Sequence, residues 1–148
     1  MNSFYSSAAL ILLSGVLLAV QAPFNSALAR AVGSPVNAAF ISFLVGGFAL
    51  GVLALALRQG GDEAAVRALP WWAWAGGLCG ALYVAIAAFT VPRLGVATLL
   101  TLGVSSQLIT AVALDHMGAF GVARQAASAG RLLGIVLVIA GVVCVRKF

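Results

Sequence analysis

The stretch Ala29-Arg30-Ala31-Val32-Gly33-Ser34-Pro35 decides the fold. It is a turn: Gly33 can take a left-handed backbone, and Pro35 suits the first turn of a following helix. An apolar run from Ser7 to Ala29 precedes it and another from Pro35 to Leu57 follows it. Each is long enough for a helix of roughly 20 residues to cross about 30 Å of hydrocarbon. Two such runs joined by a short turn predict a transmembrane helical hairpin. Reading outward, Trp71–Val91, Gly95–Leu114 and Gly130–Val145 are three further runs of the same kind. The expected fold is therefore an all-α integral membrane protein with five transmembrane helices, forming one transmembrane domain over residues 1–148.

Composition agrees. The chain is 64% hydrophobic and 7% charged, with a mean hydropathy of +1.16; a water-soluble domain carries about 25% charged residues. The loops are short, so no extramembrane domain is expected. Ala27-Leu28-Ala29 resembles a signal-peptide cleavage site, but a basic n-region is missing and the apolar run exceeds the usual 7 to 15 residues. The first run is expected to stay as a span. A net charge of +5 does not point to nucleic acid, because the basic residues sit singly at span ends and form no patch. Juxtamembrane arginines anchor helices and meet lipid headgroups. Cys79 and Cys144 both fall in apolar spans without metal-ligand spacing and read as small hydrophobes. No cofactor or metal site is expected. No nucleophile–base pair falls within plausible reach, so enzymatic function is not expected either.

The distribution of charge carries more information than its sum. If the five spans alternate direction, Arg58, Arg67, Arg124 and Arg131 lie on one face, and Arg30, Arg93, Arg146 and Lys147 on the other. That split is four against four and uses all 8 Lys and Arg. Orientation follows the excess of Lys and Arg in cytoplasmic loops, and here neither face has an excess. The balance predicts dual topology, with oppositely inserted copies pairing as a ten-helix antiparallel homodimer of inverted two-fold symmetry. An odd span count supports this, because two such copies recreate the inverted repeats common in secondary transporters. A heterodimer with a similar small paralogue of opposite bias is the alternative pairing.

Polar residues inside the spans mark candidate pathway positions, because hydrocarbon penalises them. Ser7, Ser14, Gln21 and Asn25 recur at spacings of seven, seven and four, which keeps them on one helix face. Pro23 should free a backbone carbonyl near Ala19 and break the helix locally. Gln21 and Asn25 either hydrogen-bond a solute or tie this helix to a neighbour. In the fourth span Gly103, Gln107 and Thr110 share a face, and Thr98, Thr101 and Ser105 share another whose hydroxyls their own helix backbone can satisfy. Gln107 needs a polar partner or water. In the third span Gly76, Gly80, Tyr83, Ala87 and Thr90 share a face, with Tyr83 within reach of a pathway. Gly47-x-x-x-Gly51, Gly76-x-x-x-Gly80 and Gly130-x-x-x-Gly134 read as small-residue helix packing.

Asp115 at a helix C-terminus and Arg131 at a helix N-terminus each oppose the local dipole. Pairing them resolves both, either as a structural ion pair or as a gate involving His116, the only histidine. No Asp or Glu lies at midspan, where a proton-coupled exporter of hydrophobic cations uses one. A neutral, zwitterionic or anionic solute fits better. In the loops, Arg58 to Pro70 can hold a helical turn, and Pro70-Trp71-Trp72-Ala73-Trp74 reads as an interfacial aromatic belt. Pro92 is expected to end the third span, and the Asp115–Ala129 loop can include a short surface helix.

Taken in order, these residues resemble the YdcZ-type branch of the drug/metabolite transporter superfamily. The resemblance rests on Gln21-x-x-x-Asn25, Gly33-Ser34-Pro35 and Phe43, then Pro70-Trp71-Trp72-x-Trp74-x-Gly76-Gly77-x-x-Gly80 and Pro92-x-x-Gly95. Gln107, Asp115-His116-x-Gly118 and Arg131-x-x-Gly134 complete it. Ser106 stands where the pattern has glycine, and a proline ahead of the last span is missing. The resemblance implies a bacterial inner-membrane protein working singly, in pairs or as fused inverted units. Together these readings predict a small-solute transporter working by alternating access, with Gln21, Asn25, Gln107, Tyr83 and Ser14 on its pathway. A non-transporting membrane scaffold or assembly subunit is the competing class.

Overall fold

The computed structural model describes residues 2–58 and 60–147. Six α-helices carry most of these residues, and no strand occurs among them: α1 (Asn2–Val32), α2 (Pro35–Ala56), α3 (Glu63–Arg67), α4 (Gly76–Leu94), α5 (Val96–Met117) and α6 (Ala129–Lys147). Five segments, Phe4–Val32, Pro35–Ala56, Trp71–Leu94, Val96–Met117 and Ala129–Lys147, are long and apolar enough to cross a membrane. The chain divides into two compact units, one ending at Arg93 and the other starting at Leu94.

In the first unit α1 and α2 pack as a hairpin. Its turn is built as the residues dictate. Gly33 takes φ +71°, a region closed to most L side chains. Ser34 then caps α2, its hydroxyl accepting the Asn37 N–H at 3.3 Å, with Pro35 in the first helical turn. The core here is made of small residues: Ala29, Ala38 and Ala88 cluster with Leu28 against them. Alanines let backbones approach closely, the means by which helices associate in lipid. Gly80 of α4 serves the same end, since a Cβ there would sit 3.2 Å from the Phe43 ring of α2.

The α2–α3 loop is shaped by Asp62, whose carboxylate accepts the Ala64 N–H at 2.9 Å and starts the helix. Glu63 and Arg67 pair one turn apart at 3.4 Å on its surface. Pro70 opens a 3-10 turn over Trp71–Ala75 that leads into α4. Trp71 and Trp74 are exposed, as an interfacial belt requires.

Two proline expectations are corrected. Helix α1 continues without interruption through Pro23, and α4 continues past Pro92 to Leu94. Helices in membranes tolerate proline where neighbouring groups re-satisfy the freed backbone, and in α4 the end is secured another way. Arg93 donates from Nη1 to the Phe89 carbonyl at 2.6 Å, and its guanidinium lies over the Phe89 ring at 3.8 Å.

In the second unit α5 and α6 pack together. Helix α5 ends on Gly118 in the left-handed conformation, its N–H returning to the Asp115 carbonyl at 3.3 Å. The following loop holds a short 3-10 helix over Ala119–Gly121 and then runs irregularly to α6. Ser128 caps α6, accepting the Arg131 N–H on its hydroxyl at 3.3 Å and the Leu132 N–H on its carbonyl at 3.0 Å.

The surface of the chain is apolar nearly everywhere along the spans. At most 17% of the most apolar window of any span is buried. Lipid or another chain must cover the rest, because water would not tolerate so much exposed Leu, Val and Phe.

Candidate functional site

Polar side chains of the first unit collect on the C-terminal half of α1. Ala22, Asn25, Ser26 and Ala29 form its buried stripe, at the i, i+3, i+4, i+7 spacing of one helix face. Asn25 is 4% exposed and accepts a hydrogen bond on Oδ1 from the Ser42 hydroxyl of α2. Ser26, 1% exposed, accepts from Arg30 Nη1 at 3.1 Å. Gln21 is half-buried, and among the described residues its amide has no hydrogen-bond partner. Ser14 is exposed and returns its hydroxyl to the Ile11 carbonyl at 2.7 Å. Tyr83 on α4 is half-buried.

Ser26 and Ser42 were not singled out by the sequence reading, although a signal for Ser42 was present. Asn25 and Ser42 are 17 positions apart and equidistant from the Gly33-Ser34 turn. In a two-helix hairpin, equidistant residues face one another, as Ala29 and Ala38 do in the same core cluster.

In α5 the hydroxyls behave as own-helix acceptors allow. Thr101 donates to the Ala97 carbonyl at 2.9 Å, Ser105 to Thr101 at 2.8 Å and Thr110 to Ser106 at 2.9 Å. Gln107 differs: it sits at the middle of α5, exposed, and has no hydrogen-bond partner among the described residues. Of the six glycines expected at helix contacts, only Gly80 meets another helix. Gly47, Gly51, Gly76 and Gly134 have nothing within 4 Å of a Cβ position, and Gly130 has only the Ser128 hydroxyl at 3.9 Å. Gly15, Gly46, Gly77 and Gly141 likewise have nothing within 4 Å of a Cβ position among the described residues.

The end of α5 carries the densest polar network. Arg131 Nη1 lies 3.1 Å from Asp115 Oδ2, and Arg131 Nη2 also donates to the Gln125 side-chain carbonyl. The Asp115 backbone carbonyl accepts the Gln125 N–H at 2.8 Å. His116 is held twice: its carbonyl accepts from Arg124 Nε at 3.0 Å, and its Nδ1 accepts the Ala127 N–H at 3.2 Å. A neutral ring in this arrangement carries its proton on Nε2. Gly118 permits the wrap, since a Cβ there would meet the Arg124 Cβ at 3.3 Å. The contacts of Arg124, Gln125 and Ala127 are not legible in the sequence because these residues lie in a loop without periodicity. Among the described residues no cluster of His, Cys, Asp or Glu could hold a metal ion.

A family model described as "Putative inner membrane exporter, YdcZ" matches residues 7–144. The chain belongs to the YdcZ family. This YdcZ-family member is a multi-pass inner-membrane protein, with five helices able to span the bilayer. The family description names a membrane exporter, not a class of enzyme. No curated protein and no solved structure matches the chain.

Proposed function

We propose that this YdcZ-family protein exports a small neutral, zwitterionic or anionic solute by alternating access, as an antiparallel homodimer of oppositely inserted copies. The observation that carries this reading is Gln107, exposed at the centre of α5 with no partner among the described residues. An amide facing hydrocarbon unpaired costs roughly 2–7 kcal/mol. Such a group therefore meets either a water-filled path or a second chain, and a transporter built from two copies supplies both. The unpartnered Gln21 amide and the bare glycine faces fit the same arrangement. Balanced basic residues on the two faces leave each copy free to insert either way. In a symmetric antiparallel dimer the inward-open and outward-open states interchange the two protomers, so their intrinsic energies are nearly equal.

The buried Asn25–Ser42 hydrogen bond favours a tying role for Asn25 within the hairpin. The main pathway candidates are then Gln21 and Gln107, with Tyr83 and Ser14 as further candidates. The Asp115–Arg131 pair and His116 make contacts around the α5–α6 connection, and in this reading they serve as a gate.

The test begins with Cys79 and Cys144 replaced by alanine. A cysteine introduced by Gly61→Cys should then react with a membrane-impermeant maleimide from both sides of the membrane. In the same background Gln107→Cys should react with a small water-soluble thiosulfonate. Labelling of Gly61→Cys from one side alone removes dual insertion, and an inert Gln107→Cys removes the aqueous pathway, as a membrane scaffold would predict.

A further inference from the structure

A cleft of about 520 Å³ opens at the turn end of the first unit, lined among others by Ser26, Arg30, Gly33, Pro35, Phe89 and Arg93. Two guanidinium groups therefore face one small space at the end of α1 and α4. Each is aimed by a single hydrogen bond: Arg30 by the buried Ser26 hydroxyl at 3.1 Å, Arg93 by the Phe89 carbonyl at 2.6 Å. The Phe89 ring holds the Arg93 cation from beneath at 3.8 Å. A guanidinium has five N–H donors, so most of the donors on both side chains remain available.

Among the described residues no Asp or Glu side chain balances this charge. The chain has 3 Asp and Glu. Asp62 and Glu63 lie beyond the far end of α2, whose 22 residues span about 33 Å at 1.5 Å each. Asp115 is engaged by Arg131. Among the described residues neither Arg30 nor Arg93 forms an ion pair. Two like charges gathered without a counter-ion repel one another, and an anion between them reverses that term. The α2 N-terminus, at Pro35 on the cleft wall, adds a positive dipole end.

We propose that the Arg30–Arg93 cleft binds an anionic phosphate group at the membrane–water boundary. A tetrahedral phosphate offers several oxygens to two planar forks, the geometry in which arginine excels. The group is carried either by an anionic lipid headgroup or by a soluble phosphate compound. This site stands on the first unit alone and does not depend on the transport reading.

The experiment uses the full-length protein in dodecyl maltoside micelles, with thermal unfolding followed while phosphatidylglycerol, phosphatidylcholine or inorganic phosphate is titrated. A saturable rise in the unfolding midpoint with phosphatidylglycerol only assigns a lipid headgroup. The same rise with inorganic phosphate assigns a soluble phosphate. Arg30→Gln and Arg93→Gln should each weaken the response about fivefold, the scale of one basic residue near an anionic surface, and the double variant should abolish it. Arg67→Gln, at the opposite end, should leave it intact. If the double glutamine variant does not fold, Arg30→Lys with Arg93→Lys keeps the charge but loses the forks, and should show a weakened, still saturable response. The proposal is overturned if neither phosphate source gives saturation or if phosphatidylcholine acts as well as phosphatidylglycerol. It is equally overturned if the arginine variants respond as the wild type does.

Discussion

Removing the charge of Asp115 by Asp115→Asn tests what holds the α5–α6 connection. The Asp115 and Arg131 side chains are 31% and 33% exposed at an N···O distance of 3.1 Å. Solvent-exposed pairs contribute about 0–1 kcal/mol, whereas breaking a buried pair costs about 3–5 kcal/mol. One-third exposure places this pair between those limits. Arg131 also keeps Gln125 as a second acceptor, which pulls the expected loss towards the lower limit. The expectation is a destabilisation of about 1–2 kcal/mol for Asp115→Asn and a coupling of about 1 kcal/mol in a double-mutant cycle with Arg131→Gln. The internal control is Glu63–Arg67, a pair of similar length whose side chains are 87% and 82% exposed. As an exposed one-turn helix pair it should couple by no more than about 0.5 kcal/mol. Unfolding by SDS titration in mixed micelles measures both cycles under one condition. Equal coupling in the two cycles, or an Asp115–Arg131 coupling below about 0.3 kcal/mol, would refute burial as the source of the difference.

Two further outcomes follow from packing. Gly80→Leu should destabilise the first unit by about 1–3 kcal/mol through overpacking against the Phe43 ring, whereas Gly47→Leu, with open space at its Cβ, should leave monomer unfolding unchanged. If the proposed dimer is seen on native gels, its loss with Gly47→Leu would mark that face as an interface. Ser42→Ala should cost only about 0.6 kcal/mol, the average for an interhelical hydrogen bond in a membrane protein; a loss above 2 kcal/mol in the same titration would mean Asn25 has no alternative partner.

The spans were legible because the bilayer leaves a chain few choices. Every backbone polar group must be satisfied within the segment, so an apolar run of sufficient length becomes a helix. That logic placed all five spans, with ends shifted by a few residues where polar or basic side chains extend a helix beyond the hydrocarbon, as at Arg93 and Lys147. It also led to the meeting of Asp115 and Arg131, since each alone opposed a helix dipole. Pro23 and Pro92 do not end their helices, because membrane helices tolerate proline where neighbouring groups re-satisfy the freed backbone. The Arg124, Gln125 and Ala127 contacts around His116 could not be read, because an irregular loop has no period from which to infer partners.

The amino-acid order by itself determined that this is a helical membrane protein with five apolar helices long enough to cross a bilayer. Those features depend on local hydrophobicity and chain connectivity. Tertiary structure alone decided which polar side chains are spoken for: Asn25 by Ser42, Ser26 by Arg30, His116 by Ala127, with Gln107 left bare. Partnering depends on which faces of neighbouring helices meet. In lipid that choice is made by close contact between small residues and a few hydrogen bonds, terms too weak and too numerous to rank along a single sequence.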